Sequence, residues 1–298
     1  MQMKTKRNFA CGVALLLAAA MMTSCGQDVA DETGATEQQE TQRVTTVAEL
    51  TQQLRAYDAA VMGGTRAGES AWADPSGMAV VNARMGIAMA DAGGAIRGGL
   101  RGGVKGAIVG AVASSLSALL DRLFSASVLQ PVTPTVFAIN GTPTLSDSVG
   151  YYHNVVEAAM YKMDASSNKR TSNVLLGRAD RIMKNVSTGY NAGEEFTNQQ
   201  KRDIASDLDA FRAADRTDLT FDGYCSLLKQ LDTESSEYID FAAEYLFTVY
   251  YGNVDIDDYT EEVLFMISNS NADVEDVGTL NRCIQVAHAS TIFSSNIK

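Results

Sequence analysis

The residues of this 298-residue chain best suited to metal or nucleophilic chemistry are few: His153 and His288, its only histidines, and Cys225 and Cys283. Two histidines exclude a histidine-rich zinc site. A two-histidine site would need carboxylates from distant positions that no local spacing specifies. Both histidines therefore read as polar residues of helix surfaces or cores. Cys225 and Cys283 lie among apolar residues of helical patterns, which favours buried thiols, although in an exported chain such a pair is also a candidate disulfide. No serine stands in a nucleophile elbow, and no glycine stretch has the strand, loop and lysine context of a phosphate-binding loop. The sequence specifies no catalytic residue, no metal ligand set and no cofactor, and the expectation is a protein that is not an enzyme.

Two short motifs carry resemblances. Asn253-x-Asp255-x-Asp257 resembles the opening of an EF-hand calcium loop, but Asp258 stands at the sixth position in place of glycine and Leu264 at the twelfth in place of glutamate. Asp257 and Asp258 are accordingly expected to be the N-cap and acidic first turn of a helix. Gly150-x-x-His153-Asn154, at the head of a predicted helix, resembles an opening in exported bacterial proteins of no assigned activity that also carry a glycine zipper.

The element that must position everything else runs from Gly86 to Ala118. Every fourth residue in it is small: Gly86, Ala90, Gly94, Gly98, Gly102, Gly106, Gly110, Ser114, Ala118. On an α-helix these positions make a groove almost without side chains, and the packing groove is assigned to Gly86, Gly94, Gly98, Gly102, Gly106 and Gly110. Ile96, Leu100, Val104, Ile108, Val112, Leu116 and Leu120 form an aliphatic ridge, and Arg97, Arg101 and Lys105 a basic row. Nine glycines between Gly86 and Gly110 cost about 9 kcal/mol in helix propensity, which only close packing along the groove can offset. The repeat resembles the glycine zippers of membrane-associated and pore-forming proteins. Its longest charge-free run, Gly106 to Leu120, has 15 residues, fewer than the about 20 a spanning helix needs. The expectation is a buried central element of a helical domain, either continuous or folded as a hairpin at Gly93-Gly94, Gly98-Gly99 or Gly102-Gly103.

The N-terminus reads as an address. Lys4, Lys6 and Arg7 precede an apolar run from Phe9 to Met22, as in a secretory signal. The run ends in Met22-Thr23-Ser24-Cys25, which resembles a bacterial lipobox, with methionine where leucine is usual; the resemblance implies that Cys25 is acylated and becomes the new N-terminus. Residues 25–45, acidic and poor in large apolar side chains, read as a disordered tether. Without the three signal charges the chain has 21 basic and 36 acidic residues, a net charge of −15, a poor match to nucleic acid. Charge is unevenly spread: +3 between Gly77 and Phe124, −12 from Asp147 onward, so the basic segment is expected to dock on the acidic one.

Helical periodicity covers the remainder. Thr46-x-x-Glu49 is a capping box opening a helix at Val47. Three of the four prolines, Pro131, Pro134 and Pro143, mark a linker with one short extended candidate at Thr135–Ile139. Further helices are expected near 147–163, 172–186, 198–214, 221–231, 235–251, 257–268 and 273–293. The reading is an all-α protein: signal peptide 1–24, tether 25–45, glycine-zipper region 46–124 with an N-terminal helix and a long helix or helical hairpin, linker 125–146, and an acidic multi-helix bundle 147–298. Its expected place is the bacterial cell envelope, at the outer membrane or cell surface, where it is held by lipid. The expected role is binding or structural, with a protein partner or self-association through the zipper. The alternative is a membrane-active, pore-forming protein assembled through the zipper.

Overall fold

The computed structural model describes residues 44–63, 75–120, 133–137, 146–163, 171–186, 197–214 and 220–295. Cys25, the signal and nearly all of the tether lie outside the described residues, as does most of the proline-containing stretch. The described residues fall within one compact unit, Gln42–Lys298. They form nine α-helices, one 3-10 turn at Ser146–Ser148 and no strand, an all-α multi-helix bundle. The extended candidate at 135–139 is described through Phe137 and is not a strand; a lone parallel bridge joins Thr45 to Ala272.

In chain order the helices are α1 (Val47–Val61), α2 (Pro75–Leu120), α3 (Val149–Met163), α4 (Ser172–Val186), α5 (Asn198–Ala213), α6 (Phe221–Leu231), α7 (Ser236–Tyr251), α8 (Ile256–Ser268) and α9 (Val274–Ser295). Local chemistry sets several of the starts. Thr46 Oγ1 accepts from Glu49 N (3.2 Å) and Glu49 Oε2 accepts from Thr46 N (2.9 Å), closing the expected capping box; Thr197 and Gln200 do the same for α5. At α8 the cap is Asp255, not Asp257: its carboxylate accepts from Asp257 N and Asp258 N at 3.0 and 3.2 Å. After α7 the chain turns at Gly252, but the left-handed residue is Asn253 (φ 50°).

The long element α2 is a hairpin. Gly102 (φ −140°, ψ 20°) and Gly103 (φ 58°, ψ −143°) leave helical geometry and divide it into two arms. The positive φ at Gly103 is one that glycine adopts without strain. The arms meet backbone to backbone. A Cβ on Gly98 would lie 2.0 Å from Gly106 O, and one on Gly106 1.9 Å from Gly98 O. At Gly94 the nearest atoms would be Gly110 O and Ser114 Oγ, both at 2.5 Å, and a Cβ on Gly110 would lie 2.4 Å from Gly94 O. The groove thus closes on itself, because the turn falls in its middle. Two of the six expected groove residues lie elsewhere. Gly86 faces the ring of Tyr224 on α6, 2.8 Å from where its Cβ would be, and Gly102 opens the turn.

The two arms feed two apolar clusters, each arm chiefly one of them. The first arm, through Met85, Met89 and Ile96, joins α1, α6, α7, α8 and α9. The second, through Ile108, Val112 and Leu116, joins α3, α4 and α5. The C-terminal helix α9 is enclosed over most of its length, with Leu280, Cys283, Ile284, Val286, Ala287, Ala289 and Phe293 all in the core. Cys225 and Cys283 are free thiols. Among the described residues no helix is long and apolar enough to cross a membrane.

The basic row is not a solvated strip. Arg97 is 3% exposed; its Nε donates to Gly93 O (3.3 Å) and its guanidinium lies 5.9 Å above the Phe211 ring. Arg101 makes a two-pronged pair with Asp207 on α5 (2.6 and 3.0 Å), while Gln200 Nε2 donates to Arg101 O (2.8 Å). Lys105 is half-buried. Both arginines thus face α5, Arg101 through the Asp207 pair and Arg97 through the Phe211 ring.

Candidate functional site

The close approach of the two arms sets up a polar cluster within the core. Asp91 stands on the first arm and Ser115 on the second, near the level that the Gly94–Gly110 contact fixes. Helix α3 supplies His153 and Glu157, one turn apart and therefore on one face. Helix α9 supplies Ser290. Asp91, His153 and Glu157 are each 0% exposed.

Each α3 residue of the cluster has a reason to be where it is. Gly150 lets α3 lie directly on α9: a Cβ there would be 2.4 Å from Gln285 O. One turn on, Asn154 Nδ2 donates to Ala289 O of α9 (3.0 Å). That bond turns the Asn154 carbonyl oxygen toward His153, whose Nδ1 lies 3.0 Å from it. Nδ1 is then the protonated nitrogen, and Nε2 presents a bare lone pair to the carboxylates. Nε2 lies 3.5 Å from Asp91 Oδ2 and 3.6 Å from Glu157 Oε2. The Ser290 hydroxyl donates to Asp91 Oδ2 (2.5 Å) and the Ser115 hydroxyl to Glu157 Oε1. The Gly-x-x-His-Asn motif is thus an assembly device: glycine for approach, asparagine for docking and for the histidine tautomer.

Burial governs the charges. It pushes the Glu157 carboxyl up to about 8 against the opposing hydrogen bond from Ser115. Burial, and then the neighbouring Glu157, holds Asp91 well above the carboxylate range. His153 is driven down to about 4, again by burial, with Asn154 opposing. All three groups favour their neutral forms in this environment.

A second pair lies on the other histidine. His288 Nε2 is 2.7 Å from Asp257 Oδ1, Thr135 Oγ1 donates to Asp257 Oδ2 (2.8 Å), and the Phe137 ring meets the imidazole edge-on at 4.9 Å. The acidic residues of the EF-hand-like stretch are therefore committed, Asp255 to capping and Asp257 to His288. Between α1 and α7 a cleft of about 350 Å³ is lined by Arg55, Asp58, Ala59, Met62 and Glu244. In it Arg55 Nε donates to Glu244 Oε2 (3.0 Å) and Asp58 Oδ1 accepts from the Tyr259 hydroxyl (2.6 Å).

Sequence reasoning singled out His153 without its partners. Asp91 entered only as a charge and Glu157 not at all, although a lone aspartate in an arm of glycine, alanine and aliphatic residues, and a glutamate four after a histidine, were both visible. Searched against family models, curated proteins and solved structures, the chain matches none.

Proposed function

We propose that this chain is an exported, lipid-anchored helical protein of the bacterial envelope with a binding or structural role and no catalytic one. The observation that carries the address is the run from Lys4 through Phe9–Met22 to Met22-Thr23-Ser24-Cys25. The role is supported by the state of the core: Asp91, His153 and Glu157, a convergent polar cluster, have no exposed surface through which a substrate would reach them. Four of the six zipper glycines, Gly94, Gly98, Gly106 and Gly110, serve as the inner seam of a hairpin. A pore built through the same glycines would first have to pull Gly98 from Gly106.

The test is metabolic labelling with a radioactive fatty acid, followed by fractionation. Wild type takes up label and sediments with membranes; Cys25→Ser takes up none and is released. Label retained by Cys25→Ser, or a wild-type chain that never takes it up, refutes the anchor.

A further inference from the structure

We infer that Asp91, His153 and Glu157 together bind one divalent transition-metal cation, best matched by zinc, as a structural ion in the bundle core. This goes beyond the lipid-anchor reading and is independent of it. Among the described residues these three are the group whose ligand atoms gather closely enough for the purpose, all within 4.8 Å of one another.

Each of the three residues also keeps one ligand-type atom unsatisfied. Asp91 Oδ1, His153 Nε2 and Glu157 Oε2 are fully buried and have no hydrogen-bond partner. Each such orphan is destabilising unless something satisfies it. A proton shared between Nε2 and either carboxylate would draw the atoms to about 2.8 Å. Nε2 stands 3.6 Å from Glu157 Oε2 and 3.5 Å from Asp91 Oδ2, the oxygen that Ser290 also holds, and both distances are too long for that bond. They suit a cation instead: tetrahedral bonds of about 2.1 Å place neighbouring ligand atoms about 3.4 Å apart.

Charge and orientation agree. Binding displaces the protons of the two carboxyls, whose charges with a neutral imidazole sum to −2, which a divalent ion cancels, so the loaded site carries no net charge in the core. The supporting contacts are those a metal site requires. Asn154 holds Nδ1–H and so aims Nε2 inward, while Ser290 and Ser115 each hold one carboxylate by its other edge or oxygen. One nitrogen and two oxygens favour zinc and its first-row neighbours over calcium or magnesium, which prefer all-oxygen shells. Complete enclosure makes the ion slow to exchange and loaded as the chain folds.

The full chain is unfolded in denaturant with a chelator, desalted, and refolded with zinc, with cobalt(II), or with no metal, and bound ion is measured by elemental analysis. Expected are about one ion per chain, a Tm higher by about 5 °C or more with zinc at a hundredfold excess over Kd, and intense visible bands of four-coordinate cobalt. Glu157→Gln and His153→Gln should weaken binding by about 100-fold or more, whereas His288→Gln keeps the ion. A wild-type chain that regains its helical signal yet holds neither zinc nor cobalt overturns the proposal. So does undiminished binding in folded Glu157→Gln and His153→Gln. If those variants do not fold, wild-type stoichiometry and the cobalt spectrum decide the matter alone.

Discussion

Replacing Gly98 by alanine adds one methyl group to the tightest point of the hairpin, and two opposite forces then act on stability. Intrinsic propensity favours the change: alanine is better than glycine inside a helix by about 0.5–1 kcal/mol. Packing opposes it. The new Cβ would lie 2.0 Å from Gly106 O, so the arms must open by about an ångström before the contact reaches even 3.0 Å. The obstructing atom is backbone, which no rotamer change can move aside. Overpacking of this kind costs about 1–3 kcal/mol, with the rigid case at the upper end, so the net loss should be about 2 kcal/mol. Gly177, inside α4, is the matched control, since a Cβ there meets nothing within 4 Å. Gly177→Ala should be stabilised by about 0.5–1 kcal/mol. Urea unfolding followed by circular dichroism gives both midpoints. A Gly98→Ala midpoint at or above wild type would refute the seam.

The remaining predictions concern the thiols and the second histidine. Cys225 and Cys283 are unbonded, and burial, first among the causes, pushes both thiols above their ordinary value, Cys225 up to about 12. The unfolding midpoint should therefore not change on adding a reductant, and the native chain should react with a thiol reagent far more slowly than the unfolded one; a midpoint that drops with reductant would reveal a disulfide. For His288, burial holds the imidazole below its ordinary 6.5 despite the Asp257 carboxylate beside it. The unfolded chain thus binds the extra proton as pH falls, so this contribution is complete above about pH 6.5 and is lost on acidification. Asp257 acts in the same direction at lower pH: burial raises its carboxyl, but the Thr135 and His288 hydrogen bonds bring it below 3.8. The loss of stability between pH 6.5 and 5 should be shallower in His288→Gln than in wild type, and equal slopes would count against a buried, neutral imidazole.

Helix boundaries were readable because they are local. Thr46 and Glu49 are three residues apart, Thr220 caps α6 one residue ahead, and Ser172–Val186 and Phe221–Leu231 fall where periodicity puts them. The hairpin was readable as one of three choices. Gly93-Gly94, Gly98-Gly99 and Gly102-Gly103 are alike as dipeptides; what selects the last is that turning there lays Gly98 on Gly106 and Gly94 on Gly110. That register is a property of the pair of arms. Gly86 was misplaced for the same reason, since the repeat continues past the hairpin while its partner changes to Tyr224. The polar core was the least readable part. Ser290 and Asp91 are 199 residues apart, and nothing in either local sequence announces the other.

The enclosure of α9 also bears on when the molecule can fold. The hairpin pairs glycines only 8 and 16 positions apart, contacts that close quickly in a growing chain. Neither the apolar cluster around the first arm nor the Asp91 cluster is complete without Leu280, Ile284, Ala287 and Ser290, which follow all the other described helices along the chain. Until α9 is added the chain therefore consists of a preformed spine with unfinished walls, and the cooperative transition waits for that helix. A chain stopped before α9 should not be a slightly weaker version of the protein but an open one, with the faces of α7 and α8 still wet.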